Sequence, residues 1–170
     1  MDLWHNVKRF FGSLRPGPPP REDLTWAEGH LLPAEVDLWR PMSNPDKRHA
    51  LRVARRVEEA LGADAPRPVM AAALLHDVGK VDAHLRTYGR VIATVTIWLA
   101  GKKTVASWTQ TRGLWRRLGL YAEYTRLGSE ALALAGSDPL TVAWALEHHD
   151  PPEAWTIPRE LGEVLAAADE

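Results

Sequence analysis

The stretch AALLHDVGKV, Ala72–Val81, runs a series of apolar residues straight into a histidine, an aspartate, a glycine and a lysine. It belongs to a longer segment, PVMAAALLHDVG, that starts at Pro68, stops at Gly79 and is apolar on every side. Such a pattern predicts a central helix covered from all directions. An imidazole and a carboxylate at the end of that helix are costly to bury unless something satisfies both.

Upstream, SNPDKRHALRVARRVEEAL predicts a helix with Asn44 as its N-cap and Pro45 in its first turn. Ala50, Val53, Ala54, Val57 and Leu61 then share one face, and Gly62 ends it. The link GADAPR is short, so this helix and the next should form an antiparallel hairpin, with His49 beside His76 and Asp77. Downstream, SDPLTVAWALEHH ends in His148 and His149, and PRELGEVLAAADE ends in Asp169. The residues between those two helices can span roughly 26 Å. A helix of about eleven residues is roughly 16 Å long, so Asp169 can return to the layer of His149. Residues 84–134 read as one or two longer helices. No segment alternates apolar and polar residues between hairpin turns, so the expected fold class is all-α.

Three helix ends and one helix start therefore converge at one place, bringing together His49, His76, Asp77 and Asp169 with the His148–His149 pair beside them. Imidazole nitrogens and carboxylate oxygens meeting at one point are the donor set of a divalent transition metal. A cation there offsets both carboxylates and gives each ring an acceptor for its lone pair. The chain of 170 residues has no cysteine, which excludes disulfides, zinc ribbons and thiol chemistry. Its net charge of −1 argues against broad coating of nucleic acid, and no specific nucleic-acid partner is expected. With no long apolar span and no secretory-type leader, a cytoplasmic location is expected.

The pattern H…HD…D, with HDVGK after an apolar helix and EVLAAAD near the end, resembles the HD superfamily of metal-dependent phosphohydrolases. The resemblance covers roughly residues 31–170. It implies a single HD-type helical bundle and metal ligation by His49, His76, Asp77 and Asp169. It also implies hydrolysis of a phosphate ester, with a phosphorylated small molecule or nucleotide as substrate. The implied cofactor is one divalent ion, Mn, Fe, Co, Ni or Mg, with His148 or His149 leaving room for a second. Lys80 would offset charge on a substrate phosphate, or else is a solvated lysine at a helix C-terminus. Lys80, His148 and His149 are the candidate catalytic side chains. The sequence departs from the cyclic-dinucleotide branch, which follows its histidine pair with Gly-Tyr-Pro. Here the continuation is DPPEAW, and Tyr124 stands where that branch has a histidine. A second reading is therefore a binding or regulatory module that keeps the metal site but turns over weakly.

Residues 1–23 read as an amphipathic appendage and a proline-rich linker, and 24–170 as the helical domain. Leu3, Val7, Phe10 and Leu14 share a face in residues 1–15, which would pack on the domain or touch a membrane surface or partner. Among eight tryptophans, Trp39, Trp144 and Trp155 read as core. Trp98, Trp108 and Trp115 alternate with Lys102, Lys103, Arg112, Arg116 and Arg117. That stretch reads as a helix packed by its tryptophans with a solvated basic face, or as a phosphate- and base-binding mouth.

Overall fold

A computed structural model describes residues 17–62, 65–85 and 87–170 of the chain. The amphipathic appendage at residues 1–15 lies outside the described residues. Among them the chain is all-helical, with ten α-helices and no strand.

The central helix is α4 (Arg67–Leu75), in which Val69 to Leu75 are all fully buried. Before it come α1 (Arg21–Gly29), α2 (Pro33–Trp39) and α3 (Asn44–Leu61). α3 lies along α4 as the hairpin predicts, and buries Ala50, Val53, Ala54 and Val57 against it. After it, α8 (Tyr124–Leu134), α9 (Pro139–Glu147) and α10 (Arg159–Asp169) close the bundle. α9 packs on α4 and α8, and α10 packs chiefly on α3. Trp39 and Trp144 are core, and Trp155 packs against it, as read from the sequence. Each large side chain buried here contributes about 1.5–3 kcal/mol.

The helix ends hold small differences from the sequence reading. The N-cap of α3 is Ser43, not Asn44: the Ser43 hydroxyl accepts the Asp46 amide at 3.3 Å and donates to the Asp46 carboxylate at 2.7 Å. Asp138 does cap α9, accepting the Leu140 amide at 2.9 Å. α1 starts at Arg21, inside the segment read as linker, because a helix tolerates proline just before its first turn. α4 stops at Leu75, and HDVGK does not continue it. His76 is its C-cap, and Val78–Val81 turn back as a 3₁₀ helix.

The larger correction concerns residues 84–134, which hold four α-helices. These are α5 (Thr87–Ala100), α6 (Lys102–Ala106), α7 (Gly113–Ala122) and α8, with a 3₁₀ turn at Ser107–Gln110. Gly101, at φ +82°, breaks the chain between α5 and α6, a conformation that only glycine adopts without strain. α5 to α7 form an excursion with a small core of their own, built on Ala83, Leu85, Ala93, Val105, Leu118 and Ala122. Arg90 on α5 ties the excursion to α3 through a two-pronged ion pair with Asp46, its Nη2 lying 2.7 Å from Oδ2. Trp98 does not pack this helix: it is 82% exposed.

Gly79 has a different task from ending a helix. A Cβ there would sit 2.0 Å from the Tyr124 carbonyl oxygen and 2.6 Å from the Gly128 amide nitrogen. The 3₁₀ turn therefore presses backbone to backbone on α8, holding the HD pair against Tyr124. Gly79→Ala should cost about 2–3 kcal/mol, because rigid backbone must move. Chemical denaturation measures it, and an unchanged midpoint would refute the packing role.

Candidate metal centre

Each residue of the candidate site is delivered from near the start or the end of a helix. His49 comes from the second turn of α3, His76 from the C-cap of α4, Asp77 from the next residue, and Asp169 from the last turn of α10. One ligand atom each from His49, His76 and Asp77 falls within 4.8 Å of the others. The His49 and His76 rings stand 5.3 Å apart. Asp169 joins them, its Oδ1 lying 2.8 Å from His49 Nε2 and 3.9 Å from His76 Nε2.

One contact fixes the tautomer of a neutral His76. Its Nδ1 lies 3.0 Å from the Ala73 carbonyl oxygen. A carbonyl only accepts, so Nδ1 carries the proton and Nε2 presents a lone pair. That Nε2 is buried and has no hydrogen-bond partner. It faces Asp77 Oδ2 at 3.6 Å and Asp169 Oδ1 at 3.9 Å. Three lone-pair acceptors thus look at one another across a space too wide for hydrogen bonds. A metal cation is the natural guest of such an arrangement, and the nitrogen and carboxylate donors fit one.

Around this point the chain supplies a graded electrostatic field. Burial would raise the Asp77 carboxyl, but the Lys80 ammonium beside it outweighs this and holds it well below the ordinary carboxylate range. Burial likewise opposes the Asp169 carboxylate, and the hydrogen bond from His49 brings its pKa below the ordinary range. Lys80 Nζ sits 2.5 Å from Asp77 Oδ2 and 4.8 Å above the centre of the Tyr124 ring. His148 repeats the His76 device. Its Nδ1 donates to the Trp144 carbonyl at 3.1 Å, so Nε2 is left as an acceptor, 3.3 Å from the Tyr124 hydroxyl and 3.9 Å from Asp77 Oδ1. Burial and the neighbouring His76 and His149 push its pKa down to about 3, so the ring is neutral.

The structure thus brings His49, His76, Asp77 and Asp169 together, with Lys80 and His148 in contact with Asp77. His149 is exposed and one step further out, reached through a short hydrogen bond with the Tyr124 hydroxyl. His84 is exposed and His30 packs edge-on against Trp26, so neither enters the site.

Three residues that hold the site were not found by sequence reasoning. Tyr124 bridges His148 and His149. Arg56 donates to the Ala168 carbonyl at 3.0 Å and so fixes the C-terminal turn that carries Asp169. Glu147 is buried and accepts the Thr156 amide at 2.9 Å and the Ile157 amide at 3.3 Å, folding the chain back beneath the histidine pair. Glu147 had a signal, a carboxylate inside an apolar helix, and Tyr124 had one in standing where the cyclic-dinucleotide branch has a histidine.

Compared with protein-family models, with curated proteins and with solved structures, the chain matches none.

The depressed values carry a pH signature. A carboxylate held below its ordinary value contributes stability that is present above that value and lost as the pH falls through the folded one. His148 acts in the same direction, since the unfolded ring protonates near its ordinary 6.5 while the folded ring stays neutral to about 3. Metal-free protein should therefore lose stability as the pH drops from 6.5, by up to about 1.4 kcal/mol per unit from His148 alone. Urea unfolding of wild type and His148→Gln across that range tests this. Equal slopes for the two would refute it.

Proposed function

We propose that the chain is a metal-dependent phosphohydrolase of the HD type, acting on a nucleotide or related phosphate ester. The observation that carries this reading is the buried, unpartnered Nε2 of His76 facing two carboxylates and a second imidazole. The resemblance of H…HDVGK…AAAD to the HD superfamily supports it independently.

His49, His76, Asp77 and Asp169 would hold the ion. When bound, a divalent cation supplies a lowered pKa for a water molecule and polarises a phosphoryl oxygen. The remaining work falls to the chain. Lys80 sets a positive charge beside Asp77, where it can meet the oxygens of an incoming phosphate. His148, neutral and with Nε2 turned toward the site, can accept a hydrogen bond from water and orient it, and the Tyr124 hydroxyl lies 3.3 Å from that nitrogen. His149 lies across the same hydroxyl, on the outer side of the site. Access is from the His49–Asp169 side, where those side chains remain 18% and 27% exposed. A narrow cleft there is lined by His49, Arg52, Arg56, Asp169 and Glu170, so both guanidinium groups and carboxylates stand at its mouth.

The Lys80–Asp77 contact also favours a second reading. An ammonium already neutralising one ligand competes with a metal, as in a binding or regulatory module with weak turnover. Assay of purified protein with Mn²⁺, Fe²⁺, Co²⁺, Ni²⁺ or Mg²⁺ against nucleotides and phosphodiesters separates the two. The enzyme reading expects hydrolysis that His76→Ala and Asp77→Ala each reduce by about a hundredfold or more. Tight nucleotide binding without turnover supports the module, and turnover that survives both substitutions overturns the assigned site.

A further inference from the structure

α5 is built inside out. Toward the protein it presents its small or polar side chains, Gly89, Arg90 and Ala93, with Ile97 partly covered. Toward solvent it presents its large ones. Tyr88, Val91, Ile92, Val95, Trp98 and Leu99 follow the three-and-four spacing of one helix face, and all are exposed. Trp98, Leu99 and Tyr88 are 82%, 72% and 73% exposed. A continuous apolar face of this kind marks an interaction surface.

Charge identifies what it meets. Every Asp and Glu of the sequence lies outside residues 83–122, although the whole chain is nearly neutral. Within that segment Lys102 and Lys103 lie just past Trp98 and Leu99, beyond Ala100 and Gly101, and Arg112, Arg116 and Arg117 lie on or beside α7. All five are exposed. Trp115, 56% exposed, stands among the arginines. A second copy docking face to face would set these cations against their own kind. The N-terminal segment carries Lys8, Arg9 and Arg15 against the single Asp2, so it too is repelled.

We propose that the α5–α7 excursion docks on an anionic lipid bilayer, α5 lying in the interface with its apolar face down and the lysines and arginines on the headgroup phosphates. At 14 residues α5 is about 21 Å long, short of the roughly 30 Å hydrocarbon core, so it lies in the membrane surface and does not cross. Exposed tryptophan beside lysine and arginine is the composition of that interface. The docking does not depend on the metal centre.

Co-sedimentation of full-length protein with vesicles tests the proposal. Binding is expected to phosphatidylcholine vesicles containing phosphatidylglycerol, and little to pure phosphatidylcholine. Added salt should weaken it. The pair Trp98→Ser/Leu99→Ser, at sites too exposed to unfold the chain, should lower partitioning by about tenfold or more, and Lys102→Gln/Lys103→Gln should lower it in the anionic vesicles. Circular dichroism checks that each variant is folded. Partitioning that ignores Trp98→Ser/Leu99→Ser but is lost in Trp4→Ser/Phe11→Ser assigns the membrane to the N-terminal segment and overturns the proposal. So does a wild-type dimer, seen by sedimentation equilibrium without vesicle binding, that Trp98→Ser/Leu99→Ser dissociates.

Discussion

One hydrogen bond sets the terms for the rest of the site. By giving its Nδ1 proton to the Ala73 carbonyl one turn back, His76 commits its other nitrogen to being a lone pair in a place water does not reach. The ring has no freedom to avoid this. α4 is enclosed on every side, and a His76 with its side chain only 2% exposed cannot swing out. The chain then places two carboxylates and another imidazole around that lone pair, which is unfavourable for a fold and favourable for a ligand. Natural sequences depart from local consistency chiefly at functional sites. Here the departure is built from residues near the ends of three separate helices.

The supporting contacts are directed at the same point. Arg56 holds the last turn of α10, Gly79 lets the 3₁₀ turn lie on α8, and Glu147 folds the loop after the histidine pair. None of these touches the space between the ligands. They fix the backbone that presents these side chains. The excursion shares this frame through Arg90 and Asp46, and Tyr124 follows directly on its last helix. The large apolar side chains of α5 meanwhile face away from the bundle. The molecule thus separates into an enclosed polar centre and an exposed apolar and basic flank.

Much of this was legible in the sequence wherever a local rule decided it. An apolar helix ending in His76–Asp77, a short link placing His49 beside them, and a return path long enough for Asp169 needed only spacing and chain length. The division of residues 84–134 was not legible, because α5 is apolar on nearly all sides and its true break, Gly101, looks like any glycine until its φ is known. The inversion of α5 was hidden for the same reason: periodicity finds an apolar face but does not say whether it turns inward. Tyr124, Arg56 and Glu147 act through partners far off in the chain or through backbone groups, and no spacing rule reveals such contacts. The role of Gly79 likewise exists only once α8 lies against it.

The most direct test of the account is the divalent-metal stoichiometry and affinity of the full-length protein, measured by titration after chelation and dialysis and compared with Asp169→Asn and His76→Ala. The account predicts about one tightly bound ion per chain in wild type, with affinity sharply reduced in both variants while both remain folded. Wild-type protein that binds Mn²⁺, Fe²⁺, Co²⁺, Ni²⁺ or Mg²⁺ no better than His76→Ala would show that Lys80 alone satisfies these carboxylates, and the metal centre would be withdrawn.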